Sequence, residues 1–472
     1  MRAFPNSQIE RHIRKAALLA AVLALLLLAA CGGGGGGASS TSTDGSGSVD
    51  TPLSTLTLNL PSHGIGAAQL AVIVANGDPV SEAIAASYQT KRGIPAANMI
   101  RVTLPTTAAE ISSTDFATLK AAIDAQLPAG VQATLLTWSA PSRVKGSSCS
   151  MSITSAMAFG YKASYCNAAC ATTTSSAYFN SESQAPQTDL GMRPSMMLAR
   201  TTLDAANALI DKGVSADGTA PAGTGWLIRT SDANRSGRYT DFSPLPTLWA
   251  STLALNYVDN SGGLGSDVIS GKTDVLFYFT GLPSIPSLTT NQYRPGAIGD
   301  SLTSYAGVLP NGNAGQTLVT AWLDAGLTAS YGTVEEPCNY TDKFPEASVL
   351  IDQYWRGATL IEAYWKSVAT PGQGLFVGEP LAQPWRDAPT LTISGNNYLI
   401  SSRALRPGSR YTLDYRTTTT GNWTTLASFN TASRAQLQSL TAPRPPATAV
   451  QLRWTGPCPT NASQSCTLAS SS

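Results

Sequence analysis

Short blocks of consecutive apolar residues, closed by Gly, Pro, Asn or Asp, alternate along most of this chain with segments whose apolar positions recur every three or four residues. The block Leu70–Ala75 ends in Asn76-Gly77-Asp78, helical spacing follows over 81–92, and a second block at 99–102 completes a β-α-β unit. The pattern predicts a helix over 114–127, with Ser113 or Asp115 capping its first amides, and a buried strand over 132–138. Alternation resumes with a strand at 195–198, a helix at 203–212 and a strand at 225–229. A helix over all or part of 245–258 then precedes 274–279, the most strand-like run of all, which Gly281-Leu282-Pro283 breaks. Helices near 315–325 and 360–367, with a strand at 328–331, close a unit ending near Trp385. Buried strands alternating with helices predict an α/β fold, a parallel sheet with helices on its faces.

Two stretches depart from this rhythm. Residues 147–187 are rich in Ser, Thr, Ala and Cys without clear periodicity and read as a long insertion stapled by disulfides within an α/β domain spanning 56–387. From 388 to 472 the pattern becomes about six short alternating runs with no helical signal, the signature of an appended β-sandwich. Packing or interaction is the expected role of that module, and sugar binding through Trp423 or Trp454 is the alternative.

The N-terminus supplies a location. Arg2, Arg11, Arg14 and Lys15 precede an uncharged run over 16–30 that closes with Leu28-Ala29-Ala30-Cys31, the layout of a bacterial lipoprotein signal. Residues 1–31 are therefore expected to be a signal peptide with lipidation at Cys31, and 32–55 a Gly/Ser/Thr-rich tether. The expectation is a membrane-attached envelope protein facing the periplasm or the surface. Gly32, in place of the aspartate that retains lipoprotein at the inner membrane, favours the outer membrane of a Gram-negative cell.

Without the signal, 26 basic residues face 28 acidic ones, which argues against a nucleic-acid partner. Setting Cys31 aside leaves six of the seven cysteines, and an oxidising compartment favours their pairing. Cys458 and Cys466 bracket a short loop and are expected to pair; Cys149, Cys166, Cys170 and Cys338 leave three pairings open. Cys166 and Cys170 lack a second ligand pair at zinc-like spacing, so no metal and no cofactor is expected. His12 departs with the signal, leaving His63, in Pro61-Ser62-His63-Gly64, to read as a surface histidine.

Three features could carry chemistry. Gly299-Asp300-Ser301-Leu302 resembles the nucleophile block of the GDSL esterases, but it lies deep in the domain and no histidine follows it. Cys338, in Glu335-Glu336-Pro337-Cys338, has acidic neighbours that raise a thiol pKa, and a disulfide is its better reading. Asp300, Glu335, Glu336, Asp342 and Glu379 form a set of loop carboxylates suited to general acid–base work or a hard cation. Glu335 and Glu336 are adjacent, so in extended chain only one enters a cleft. The enzyme these residues suggest is a hydrolase using Asp300, Ser301 and one of the two glutamates at the C-terminal edge of the sheet.

The progression from Pro295-Gly296 through Trp322-Leu323-Asp324-Ala325-Gly326, Tyr331-Gly332-Thr333-Val334-Glu335-Glu336-Pro337-Cys338, Glu362-Ala363-Tyr364-Trp365 and Gly378-Glu379-Pro380-Leu381 resembles a sporadically distributed family of uncharacterised exported bacterial proteins. Asp78-Pro79-Val80-Ser81 and Arg92-Gly93-Ile94-Pro95 extend the resemblance over about 68–387. Species carrying that family tend to carry an exosortase-type sorting system, which implies envelope or surface-export biology. More distantly, the order of elements is similar to the gingipain-type cysteine peptidases, which implies a caspase-like domain, with a flavodoxin-like sheet as the alternative. Those enzymes place His-Gly after one central strand and the cysteine nucleophile after the next. Here Thr280-Gly281 and Asp300-Ser301 stand in those places. The resemblance thus implies a scaffold without the peptidase dyad that binds, or helps process, exported protein or polysaccharide.

Overall fold

The computed structural model describes residues 63–312, 315–386 and 389–459. The expected signal peptide with Cys31, the expected tether and Cys466 lie outside the described residues, as does the side chain of Cys458, so the expected lipidation and the Cys458–Cys466 pairing fall there too.

Ten strands form one sheet: β1 (Leu70–Ala75), β2 (Met99–Val102), β3 (Ala133–Leu136), β4 (Ser195–Met197), β5 (Thr224–Arg229), β6 (Ala254–Asp259), β7 (Val275–Thr280), β8 (Tyr293–Ser301), β9 (Ala329–Thr333) and β10 (Gly374–Gly378). Their spatial order is β2-β1-β3-β4-β10-β9-β8-β7-β5-β6. All neighbours are parallel except β9 and β10, which pair antiparallel from Ala329↔Gly378 to Thr333↔Gly374. The sheet is therefore two parallel halves running in opposite directions and joined at that seam. The ends of β5, β7, β8 and β9 share one edge with the start of β10, while β10 finishes at the other. β1, β7, β9 and β10 are buried along their whole length; β1, β7 and β10 are largely apolar runs, as strands covered on both faces require, while β9 (Ala-Ser-Tyr-Gly-Thr) is buried despite its polar residues.

The longer helices are α1 (Pro79–Arg92), α2 (Ser113–Asp124), α3 (Ile153–Phe159), α4 (Leu203–Ala216), α5 (Val319–Ala325), α6 (Ala347–Trp355) and α7 (Leu360–Ser367). Asp78 caps α1 by accepting from the amides of Val80 and Ser81 at 2.9 and 3.2 Å, Pro79 opens it, and Gly93 ends it at φ 66°. For α2 the cap is Ser112 rather than Ser113 or Asp115: its hydroxyl accepts from the Asp115 amide and donates to the Asp115 carboxylate.

Other expectations change more. The helix expected within 245–258 is only Leu245–Trp249; 254–259 is instead edge strand β6, whose Asn256, Tyr257 and Val258 pair with Trp226, Leu227 and Ile228. The insertion opens with a strand, Ser150–Ser152, that pairs with Arg143–Lys145 and through it with Glu110–Ser112, and continues into the almost fully buried α3. The disulfides are Cys149–Cys166, inside the insertion, and Cys170–Cys338, which ties it to the loop after β9 with Cα atoms 5.2 Å apart.

The C-terminal strands β11 (Thr390–Ser394), β12 (Asn397–Ser402), β13 (Ser409–Arg416), β14 (Thr424–Asn430), β15 (Gln438–Pro443) and β16 (Gln451–Pro459) form two antiparallel sheets, β11-β12-β15 and β14-β13-β16. Tyr398, Ile400, Tyr411, Leu413, Phe429 and Trp454 make their common core, so Trp454 is a packing residue.

Beyond β10, Glu379 is completely buried. It accepts from the Tyr88 hydroxyl at 2.6 Å and from the guanidinium of Arg92, whose other nitrogen reaches Asp217 at 2.6 Å. A Cβ on Gly213 would stand 2.3 Å from this carboxylate, so α4 approaches it only because that position is glycine. Glu379 thus clamps α1 and α4 to the end of β10. Replacing it by alanine leaves the buried Tyr88 hydroxyl and two Arg92 nitrogens without their acceptor, with Asp217 alone still paired to Arg92, and is expected to cost on the order of 3 kcal/mol in urea unfolding; a cost below about 1 kcal/mol would mean that the clamp is not structural.

Candidate functional site

β7 and β8 end side by side, with Phe279 paired to Asp300 and Thr280 to Ser301. The loop after β5 folds over these two ends. Its approach is close: a Cβ on Gly281 would lie 1.9 Å from the Arg235 carbonyl oxygen. The loop delivers Arg238, itself 3 % exposed, whose Nη1 lies 2.7 Å from Asp300 Oδ1 and donates to the Pro345 carbonyl at 3.2 Å. Its Nη2 donates to the Thr280 carbonyl at 2.7 Å, and Phe242 and Phe344 present their rings 5.3 and 5.7 Å from the guanidinium. One arginine therefore holds both strand ends.

Asp300 has no exposure at all. Burial pushes its carboxyl up to about 6, against the opposing pull of Arg238. The contact is an ion pair by distance but not an aligned hydrogen bond, and neither carboxylate oxygen has a donor directed onto it. The hydroxyls of Thr280 and Thr303 are likewise buried and unpartnered. Beside them the Tyr331 hydroxyl donates to the Lys343 carbonyl, and its own ionisation is pushed well up, by burial first and then by Asp300.

Ser301 differs from an activated nucleophile. Its Oγ accepts from the Leu282 amide and donates to the Leu282 carbonyl, both at 2.8 Å, so the hydroxyl pins the turn after β7. Glu335 accepts from the Ser150 amide and Glu336 from the Cys338 amide, each at 2.9 Å. The structure thus brings Asp300, Ser301, Glu335 and Glu336 to the same edge, but gives each carboxylate of the pair a backbone amide and the serine a backbone turn. Glu379 belongs to the opposite edge, and Cys338 is oxidised. Arg238 had no signal in the sequence beyond being an arginine in a Ser-Gly-Arg-Tyr run.

His63 is a correction: it is buried, not on the surface. Its Nε2 lies 3.1 Å from both Arg356 Nη1 and the Ala404 carbonyl oxygen, where the α/β part meets the C-terminal strands. Arg356 grips Glu182 with two bonds of 2.8 Å and donates to the Ala404 carbonyl at 2.9 Å. The His63 carbonyl accepts from Gln383, which follows β10 on the edge opposite Asp300, so the imidazole cannot serve Ser301. Burial, then Arg356 and Lys366, push the imidazole down to about 3.

An open groove of about 410 Å³ lies beside β2, lined by Arg101, Thr103, Pro105, Asp115, Leu119 and Gln126 among others, and holds none of these residues. Among the described residues no three His, Cys, Asp or Glu side chains gather as a metal site. No protein-family model, curated protein or solved structure matches the chain.

An imidazole that stays neutral down to about pH 3 in the fold, but takes its proton near 6.5 when unfolded, lets the unfolded chain bind more protons between those values. Stability is therefore expected to fall as pH drops from about 6.5 towards 3, at up to about 1.4 kcal/mol per pH unit. Glu182, which burial alone would raise but Arg356 holds well below the carboxylate range, adds to the loss at the acid end. Urea titrations of the parent and of His63→Gln should converge as the pH falls; parallel curves would contradict this role.

Proposed function

We propose that this chain is an exported, lipid-anchored envelope protein whose α/β domain is a caspase-like scaffold without peptidase chemistry, acting by binding exported protein or polymer or by helping to process it. The observation that carries this reading is the Arg238–Asp300 pair: Arg238, from the loop after β5, closes over the ends of β7 and β8, where Thr280 and Asp300 take the places that the resemblance assigns to the peptidase dyad. Thr280 and Asp300 provide neither an imidazole nor a thiol there, and Cys338 is engaged with Cys170. The adjacency of β7 and β8, with their ends on one edge, supports the alignment to the peptidases. The two disulfides support an oxidising, extracytoplasmic compartment, and Cys31 with Gly32 supports a lipid anchor in the outer membrane.

The hydrolase alternative draws on one observation, the carboxyl of Asp300 held near 6, a value useful to a general acid. Against it stand the full burial of Asp300 behind Arg238 and the engagement of the Ser301 hydroxyl by Leu282.

Panels of peptide and ester substrates are expected to give no turnover above background with the purified protein. Turnover abolished by Asp300→Ala or Ser301→Ala would overturn the scaffold reading in favour of the hydrolase. For the anchor, Cys31→Ala should move the protein from the membrane to the soluble fraction and remove fatty-acid labelling; an unchanged distribution would contradict lipidation.

A further inference from the structure

The charge of this chain is divided unevenly. Residues 389–472 contain seven arginines, no lysine and one acidic residue, Asp414, whereas residues 51–388 hold 19 basic against 25 acidic residues. A basic C-terminal module on an acidic body marks a surface for an anionic partner.

The β14-β13-β16 sheet shows where that charge is organised. Tyr411 and Leu413 point into the core, so by alternation Arg410, Asp414 and Arg416 take the outer face of β13. Arg453 of β16 sits opposite Asp414 in register and joins them. Asp414 is almost completely buried and fixes this face: it accepts from Arg453 Nε at 3.2 Å and from the hydroxyls of Thr425 and Thr455 at 3.0 and 2.9 Å. Arg416 is held by Gln451 through its Nε. Between them lies the indole of Trp423, half-buried, with the Arg416 and Arg453 guanidinium carbons 4.6 and 4.3 Å from its ring centre. The result is a preorganised pair of planar cations held against one aromatic ring and flanked by short hydroxyls.

We propose that this face binds a carboxylated polysaccharide. Guanidinium forks match carboxylates in two-point geometry, the Trp423 ring holds the two forks in place by cation–π contact, and the Thr425 and Thr455 hydroxyls, which donate to Asp414, keep lone pairs that can accept from sugar hydroxyls. A lipid surface would call for protruding apolar side chains, and the outer face of β13 presents none. The proposal concerns a different face from the β7–β8 edge, so its failure would leave the reading of that edge standing.

Affinity electrophoresis of the full-length protein in detergent, through gels containing polygalacturonate or neutral dextran, tests it. Retardation is expected with polygalacturonate alone. Trp423→Ala and the pair Arg416→Gln/Arg453→Gln should each weaken it at least about tenfold. Ser428→Asp, an exposed change opposite Thr412 that removes no packing, should weaken it as well, while Arg434→Gln, an exposed arginine outside the sheet, should not. Undiminished retardation of all three face variants would overturn the proposal, as would an equal loss in Arg434→Gln. Tighter binding to phosphatidylglycerol vesicles or duplex DNA than to polygalacturonate, with the same dependence on Trp423, would overturn it in favour of those partners.

Discussion

The antiparallel seam between β9 and β10 is the constraint on which the arrangement of this molecule depends. β10 enters the sheet late in the chain, wholly buried, running with β4 and against β9. Because it reverses the direction of the sheet at its centre, chemistry at the ends of β7 and β8 is separated from everything that follows β10. Asp300, Ser301, Glu335 and Glu336 consequently share one edge, whereas Glu379 and Gln383, which holds the His63 carbonyl, follow β10 at the other. A serine, a histidine and a carboxylate all exist in the sequence, and the seam keeps the histidine from the rest.

Each edge is closed by an arginine. Arg238 holds the strand ends at one, and Arg92 bridges Glu379 and Asp217 at the other. Arg356 does similar work where the C-terminal strands dock, gripping Glu182 and the Ala404 carbonyl. Arginine suits these places because its planar fork satisfies several acceptors at once and keeps its charge on burial. Removing one member of such a group leaves the others buried and unpaired, so these positions are far less tolerant than the surface carboxylates around them.

Much of the α/β architecture was legible because β1, β7 and α1 carry strong local signals: consecutive apolar residues, a Gly or Pro break, an Asp-Pro start and a Gly stop. What escaped was governed by tertiary context. α6 is buried around most of its circumference and so lacks an amphipathic stripe, and β10 is a five-residue run that only its two neighbours make into a strand. The disulfide pairing needed the fold, since Cys170 and Cys338 lie 168 residues apart. At the site, Asp300 and Ser301 stood out in a tetrapeptide, but nothing local announced that Arg238 would arrive over them or that Leu282 would engage the serine. His63 reads as a loop histidine because Pro-Ser-His-Gly is loop chemistry, and its burial comes from residues contributed elsewhere in the chain.

The central claim is that the Arg238–Asp300 contact is a structural closure of the edge where a catalytic pair would otherwise stand. A double-mutant cycle with Arg238→Met, Asp300→Leu and the combined variant, read by urea unfolding, measures it most directly. Each single change should cost about 3–5 kcal/mol by leaving its partner buried and unpaired, and the combined variant should cost clearly less than their sum. Single costs below about 1 kcal/mol that simply add would show that the two residues do not depend on each other, and would contradict the account.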